Sequence, residues 1–163
     1  MNSTAADPAL TGVYTVDPTH SRFGFVARHA MVTKVRGYFA EFEATGTLDA
    51  DDPTRSTAEV TLQVASVDTG NTDRDGHLRT NDFFDAPNHP EITFRSTSVE
   101  AKGDNDYRLN GDITIKGVTK PISIELEYTG SALDPFGNRR IGLDGTAALN
   151  RRDFGVNFQA ALE

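Results

Sequence analysis

The chain has 163 residues, 37% of them hydrophobic, and a formal net charge of -8. A length of this order suits one domain with one core, burying roughly 70% of the surface that the unfolded chain exposes. The negative balance repels a phosphate backbone or an anionic surface unless basic residues cluster, and they do not: the adjacent pairs Arg139-Arg140 and Arg151-Arg152 run on into Ile141 and Asp153.

Nucleic acid is therefore not expected as a partner. No cysteine is present, which removes disulfides, thiolate catalysis and Cys-ligated metals. No apolar run approaches the roughly 20 residues of a membrane-spanning helix, so no integral membrane segment is expected. Residues 1–12 lack the basic and apolar regions of a secretory signal and are expected to be a flexible N-terminus. The expectation is a cytoplasmic protein with one domain over residues 13–163.

Two-residue alternation dominates the chain. A short opening strand is predicted near Val13 to Val16. From Arg22 to His29, the residues Phe23, Phe25, Ala27 and His29 share one face, as in a half-buried strand. In the next run Glu41 and Glu43 belong in water, which turns Tyr38, Ala40, Phe42, Ala44, Gly46 and Leu48 inward and leaves Phe39 outside. An exposed Phe39 would suit a homodimer contact. Ala58, Val60, Leu62 and Val64 then line one face of the following strand.

Between Ser66 and Pro90 the rhythm breaks. Asn71-Thr72-Asp73 offers a helix N-cap before Arg74 to Arg79, and the segment from 67 to 90, carrying Phe83 and Phe84, is predicted to be a short helical cap over one barrel end. Alternation resumes with Ile92, Phe94, Ser96 and Ser98, and again with Leu109, Gly111, Ile113 and Ile115. Gly117 to Lys120 is the expected turn, and Pro121 opens a strand whose inward face is Ile122, Ile124, Leu126 and Tyr128. Two more strands are predicted, with Ile141, Leu143, Gly145, Ala147 and Leu149 inward, then Phe154, Val156, Phe158 and Ala160. About nine short strands at hairpin spacing imply an antiparallel sandwich or closed barrel.

The inward set is rich in small residues, among them Ala27, Ala44, Gly46, Ala58, Gly111, Gly145 and Ala147. An eight-strand barrel is just wide enough to fill itself or to hold one small ligand. Small residues leave room for a guest, or they sit beneath large neighbours. The pattern alone leaves both open. A guest in so apolar a wall would be a hydrocarbon chain or a flat apolar ring.

Several motifs in order resemble one family. Tyr14-Thr15-Val16-Asp17-Pro18-Thr19-His20-Ser21, then Phe25-Val26-Ala27-Arg28-His29 and Val35-Arg36-Gly37-Tyr38-Phe39, are similar to the opening of the YceI-like proteins. Ser66-Val67-Asp68-Thr69, Arg74-Asp75-Gly76-His77-Leu78, Asp82-Phe83-Phe84-Asp85 and His89-Pro90-Glu91-Ile92-Thr93-Phe94 resemble its middle. Asn110 to Lys120 and Asn150-Arg151-Arg152-Asp153-Phe154-Gly155 resemble its end. The resemblance implies a single antiparallel lipocalin-like β-barrel of about eight long strands. It also implies an apolar channel for an isoprenoid lipid, either a polyprenyl chain or the tail of an isoprenoid quinone, bound for storage or transport.

The channel wall would then comprise Phe23, Phe25, Ala27, Tyr38, Phe42, Val60, Leu62, Val64, Ile92, Phe94, Leu109, Ile113, Ile124, Leu126, Leu143, Ala147, Phe154 and Phe158. His20, His29, Arg74, Asp75 and His77 are the polar candidates for the cap or for a ligand head group. Each also has a structural role open to it, such as stitching a turn or pairing at the barrel rim. No H-E-x-x-H pair or G-x-S-x-G elbow occurs, so neither a metal site nor a serine nucleophile is expected. The expectation is a binding protein rather than an enzyme, with no required cofactor beyond the bound lipid or quinone. The alternatives are an enzyme acting on such a lipid through His29, His77 or Asp75, and a stress-response protein with a packed barrel.

Overall fold

The computed structural model describes residues 10–29 and 33–156. Ten strands and one helix follow in chain order: β1 (Gly12–Thr15), β2 (Phe23–His29), β3 (Thr33–Phe39), β4 (Phe42–Leu48), β5 (Thr57–Gln63), β6 (Val67–Asp68), α1 (Thr72–Leu78), β7 (Glu91–Ala101), β8 (Asp106–Ile115), β9 (Val118–Leu133) and β10 (Arg139–Thr146). Seven of them form a strongly curled antiparallel sheet in the order β1-β4-β5-β7-β8-β9-β10, a half-barrel. The other three form a small sheet in the order β2-β3-β6. The lipocalin-like β architecture is thus present, with its strands divided between two sheets.

Hairpin chemistry sets the register. Lys116 and Gly117, with φ of 51° and 78°, form the two-residue link from β8 to β9. Positive φ at both central positions is what a type I′ turn requires, and its twist suits the flanking strands. Ile115 consequently faces Val118, and β9 starts three residues before Pro121. Lys120, expected in the turn, is a strand residue.

A second difference concerns β3 and β4. The expected continuous alternation from Tyr38 to Leu48 is broken at Ala40-Glu41, and the break shifts the face by one residue. Phe39 pairs with Phe23 and is 5% exposed, so it packs inside and offers nothing to a dimer contact. Ala40 is exposed. Tyr38 pairs with Gly24 on the opposite face from Phe23 and Phe25 and is not a wall residue. Its ring instead lies under the Arg22 guanidinium at 4.6 Å, and its hydroxyl donates to Asp68 Oδ2 at 3.1 Å. A one-residue shift exchanges the two faces of a strand, so the unrecognised turn inverts the assignments of Tyr38, Phe39 and Ala40 before it, while Phe42, Ala44, Gly46 and Leu48 after it keep theirs.

The helical cap forms where expected. The Asn71 side chain accepts from Arg74 N at 3.0 Å, and Asp73 and Asp75 place negative charge on the first turn of α1, where the helix dipole favours it. Successive turns from Thr80 to Asn88 follow, tied back by Phe84 N to Leu78 O at 3.0 Å and Ala86 N to Arg79 O at 2.8 Å.

Two apolar clusters form. The larger joins Phe39, Val64, Val67, Leu78, Phe83, Ile92, Ile115, Phe154 and Val156, and closes the end beneath α1. The smaller joins Leu10, Ala50 and Tyr128, with Leu48, Tyr107 and Ile141 packed against them. Leu10, expected in a flexible segment, is 1% exposed.

The C-terminal part departs most from expectation. Strand β10 ends at Thr146, and Ala147 and Leu149 are exposed residues beyond it. Arg151–Phe154 is a 3-10 turn capped by the Asn150 side chain and stopped by Gly155 at φ 74°, not the start of a strand. Phe154 is buried in the larger cluster as a core residue. Phe158 and Ala160 lie outside the described residues. Among the described residues no helix is long and apolar enough to cross a membrane.

Candidate functional site

Cross-strand pairing shows which side chains share the inner face of the curled sheet. One row is Phe42, Leu62 and Ile92; the next is Ala44, Val60, Phe94, Ile113 and Lys120. Further rows pair Gly111 with Ile122, Leu109 with Ile124, and Tyr107 with Leu126 and Gly145. Phe23 meets Phe42 edge to face at 4.8 Å, which joins the small sheet to this wall.

Some small residues of the wall are covered by their neighbours. A methyl group placed on Gly111 would lie 2.5 Å from the ring of Phe94, and one on Gly145 would lie 2.8 Å from Leu126 Cδ2. Phe25 covers Gly37 in the same way, at 2.6 Å. Large side chains thus lean over Gly111 and Gly37, which do not open a lumen, whereas Gly145 remains exposed.

Burial along the wall is uneven. Val64, Ile92, Phe94, Leu109 and Phe154 are buried; Val64 lies in a 3-10 turn after β5 and belongs to the core cluster rather than to a strand face. Phe23, Phe25, Ala27, Phe42, Val60, Leu62, Ile113, Ile124 and Leu126 are half-buried. Leu143, expected to be enclosed, is 52% exposed, and Ala147 is also on the surface. The openness is concentrated at β9 and β10. Tyr128, facing Leu143, has a buried hydroxyl with no hydrogen-bond partner among the described residues. A depression of about 370 Å³ on the outer side of β7–β9 is lined by Thr97, Asn110, Gly111, Asp112, Pro121, Ile122 and Ser123, a mixed polar and apolar set.

The polar candidates hold turns together. His20 Nδ1 lies 2.7 Å from Asp17 Oδ2, with the imidazole largely in solvent. Asp17 also accepts from Thr19 N at 3.1 Å and Thr19 Oγ1 at 2.8 Å, and pairs with Arg140 across the molecule. His20 first, then Thr19 and Arg140, hold the Asp17 carboxyl well below the usual carboxylate range. Asp75, 8% exposed, accepts from Thr69 N at 2.9 Å and Thr69 Oγ1 at 2.6 Å. Arg74 grips the same residue, donating from Nε to Oγ1 at 2.8 Å and from a terminal nitrogen to the carbonyl at 2.9 Å. His77 Nε2 is 2.7 Å from Asp82 Oδ2, and its ring meets Phe83 edge-on. The side chain of His29 lies outside the described residues. None of the other four reaches the open wall through a contact described above, and their bonds account for the cap and the rim.

The position of Lys120 on the inner face was not expected, because Gly117 to Lys120 reads as a loop. The signal that would have found it is Lys116-Gly117 taken alone as a two-residue turn. Among the described residues no three His, Asp or Glu side chains converge in a way that would hold a metal ion.

Comparison with known proteins agrees with this architecture. The YceI-like domain matches residues 14–163. A UPF0312 protein of Photorhabdus laumondii is 36% identical over 159 residues, covering 96% of this chain and 81% of that protein. Protein YceI of Escherichia coli is 35% identical over 154 residues, covering 93% and 80%. Among solved structures, Burkholderia cenocepacia BcnA superposes with a TM-score of 0.79 at 27% identity, over 86% of this chain and 84% of that one. The Campylobacter jejuni YCEI protein gives 0.72 at 33% identity, over 87% and 83%. A polyisoprenoid binding domain from Saccharophagus degradans shares the fold at a TM-score of 0.51 and 15% identity, over 75% of this chain and 76% of that one. With its curled sheet, its small second sheet and its helical cap, the chain belongs to the YceI-like domain family.

Proposed function

We propose that the protein binds an extended isoprenoid lipid, a polyprenyl chain or the tail of an isoprenoid quinone, along the inner wall between its two apolar clusters, and stores or carries it. The observation that carries this is the half-buried apolar face of β9 and β10, where Ile122, Ile124 and Leu126 lead to a Leu143 that is 52% exposed. A folded protein gains about 0.8 kcal/mol for each methylene it removes from water, so a guest covering this face stabilises itself and the wall together. The polyisoprenoid binding named for the Saccharophagus domain of the same fold supports the choice of ligand class.

The test is mass spectrometry of organic extracts of the purified protein, beside a variant in which Ala44→Trp places an indole on the wall. The expected outcome is a stoichiometric isoprenoid from the wild type and its loss from a variant that still folds. Extracts containing no lipid, or a polar metabolite alone, would overturn the proposal.

A further inference from the structure

Strand β9 runs on past its partner on one side. Pairing with β8 ends at Asp106 opposite Glu127, and beyond Tyr128 the only strand paired with β9 among the described residues is β10, which returns from Arg139 to Gly142. These residues form a two-stranded arm beyond the curled sheet, and from Ser131 to Arg140 every residue except Asp134 is exposed. The arm carries large apolar side chains into solvent at its tip: Phe136 is 87% exposed and Leu133 is 61% exposed.

The turn that displays Phe136 is satisfied from within. Asp134 N donates to Asn138 O at 2.9 Å and Gly137 N to Asp134 O at 3.0 Å, the closure of a three-residue hairpin loop with Gly137 at φ 84°. Phe136 N and Asn138 N both donate to Asp134 Oδ1, at 2.8 and 2.9 Å, and Pro135 has no N–H, so every backbone donor from Asp134 to Asn138 has its acceptor. The Asp134 side chain is 5% exposed, and its second carboxylate oxygen accepts from the Asn138 amide at 3.2 Å and pairs with the Arg140 guanidinium at 3.2 Å. Polar groups are costly to take out of water when they leave it unpaired, so these donors and this carboxylate give up water at little cost, while the ring they hold out gains by leaving it.

We propose that the Phe136 tip docks the protein reversibly on a lipid bilayer, with the ring and Leu133 entering the boundary between headgroups and acyl chains and Arg139 meeting the lipid phosphates. Area decides against a protein partner: a phenylalanine offers about 150–250 Å² and one leucine adds less, whereas a stable protein interface takes about 800 Å² from each side. A bilayer sets no such threshold, since an amphipathic element holds by inserting about 5–10 Å into the interface. Charge fits as well. The segment from Ser131 to Arg140 holds two guanidinium groups and one carboxylate, on a chain whose net charge is -8. Arg140 is taken up by Asp17 and Asp134; Arg139, paired across the arm with Leu133, lies three residues from Phe136, at most about 10 Å along the strand. Docking stands on this arm alone and does not depend on the lipid-binding function proposed above.

Flotation with vesicles of phosphatidylcholine and phosphatidylethanolamine tests it, beside a fluorescent variant. The chain has no tryptophan, so Phe136→Trp supplies a single reporter at the tip. Its emission is expected to shift to shorter wavelength on adding vesicles and to be quenched by lipids brominated on their acyl chains. The wild type should float with the vesicles, and Phe136→Ser should partition at least about tenfold less, the loss of one buried ring. Phe136→Leu should retain most of the binding, and all three variants should melt with the wild type because the position is exposed. A wild type that stays with the soluble fraction, a Phe136→Ser variant that floats as well as the wild type, or a tip tryptophan that vesicles neither shift nor quench would each overturn the proposal. So would a tryptophan shift that follows protein concentration without vesicles, since the tip would then meet a second copy of the chain. Vesicle binding by a protein whose extracts hold no lipid would leave docking in place while the lipid-binding function fell.

Discussion

Phe83 and Leu143 are both apolar, the first expected in the cap and the second on the inner face, yet Phe83 is 2% exposed and Leu143 is 52% exposed. The difference lies in what the chain brings over each. Between β5 and β7 it leaves the sheet, makes β6, α1 and the turns to Asn88, and returns with Leu78, Phe83 and Phe84 laid across one end. No comparable segment among the described residues crosses β9 and β10. One region is closed by the protein's own side chains and holds the fold together; the other, among the described residues, leaves apolar surface uncovered.

The largest expected effect comes from breaking that contrast directly. Phe83→Ala should cost about 3–5 kcal/mol, because a buried ring is lost and the tied cap cannot collapse into the space. For a chain of this size that corresponds to a melting temperature lower by about 10 °C. Leu143→Ser should change stability by no more than about 0.5 kcal/mol while reducing the lipid retained. Equal thermal losses in the two variants would mean that the β9–β10 wall is ordinary core.

The next comparison separates cap from ligand contact. Asp75→Ala leaves the Thr69 N–H and hydroxyl without their acceptor, and the expected cost is about 1–3 kcal/mol in denaturant unfolding. Lipid content per folded molecule should stay the same. A stable variant that had lost its lipid would return Asp75 to the ligand.

The smallest effect is electrostatic and sits at the rim. The Asp17 carboxyl is held low by His20, Thr19 and Arg140. A depressed carboxylate contributes stability that is present above the ordinary carboxylate range and is lost as pH falls through the lowered pKa. Arg140→Ala should move the Asp17 titration, followed by NMR, back toward the ordinary range, so that the loss begins at higher pH. The effect should be modest and should shrink with added salt, because the pair is open to solvent. An unmoved Asp17 titration would show that His20 and Thr19 alone hold the carboxyl.

Much of the architecture was legible in local pattern. Alternation at Phe23, Phe25 and Ala27, at Ala58, Val60 and Leu62, and at Ile122, Ile124 and Leu126 reports a strand with one drier face, because successive side chains must point to opposite sides. The Asn71 cap was equally legible, since an N-cap bond closes within three residues. Tyr38, Phe39 and Ala40 were not. A turn at Ala40-Glu41 carries no glycine, proline or Asn-Gly signal, and the charges of Glu41 and Glu43 imposed one register on what are two strands.

By itself, then, the sequence determined that this is an antiparallel β protein of the YceI-like kind, with a helical cap and an apolar inner face, because alternation, turn chemistry and capping act over a few residues. Only the tertiary structure decided which inner residues are core and which form an open wall. Burial depends on what packs from elsewhere in the chain: Phe94 over Gly111, and the cap over Ile92 and Ile115.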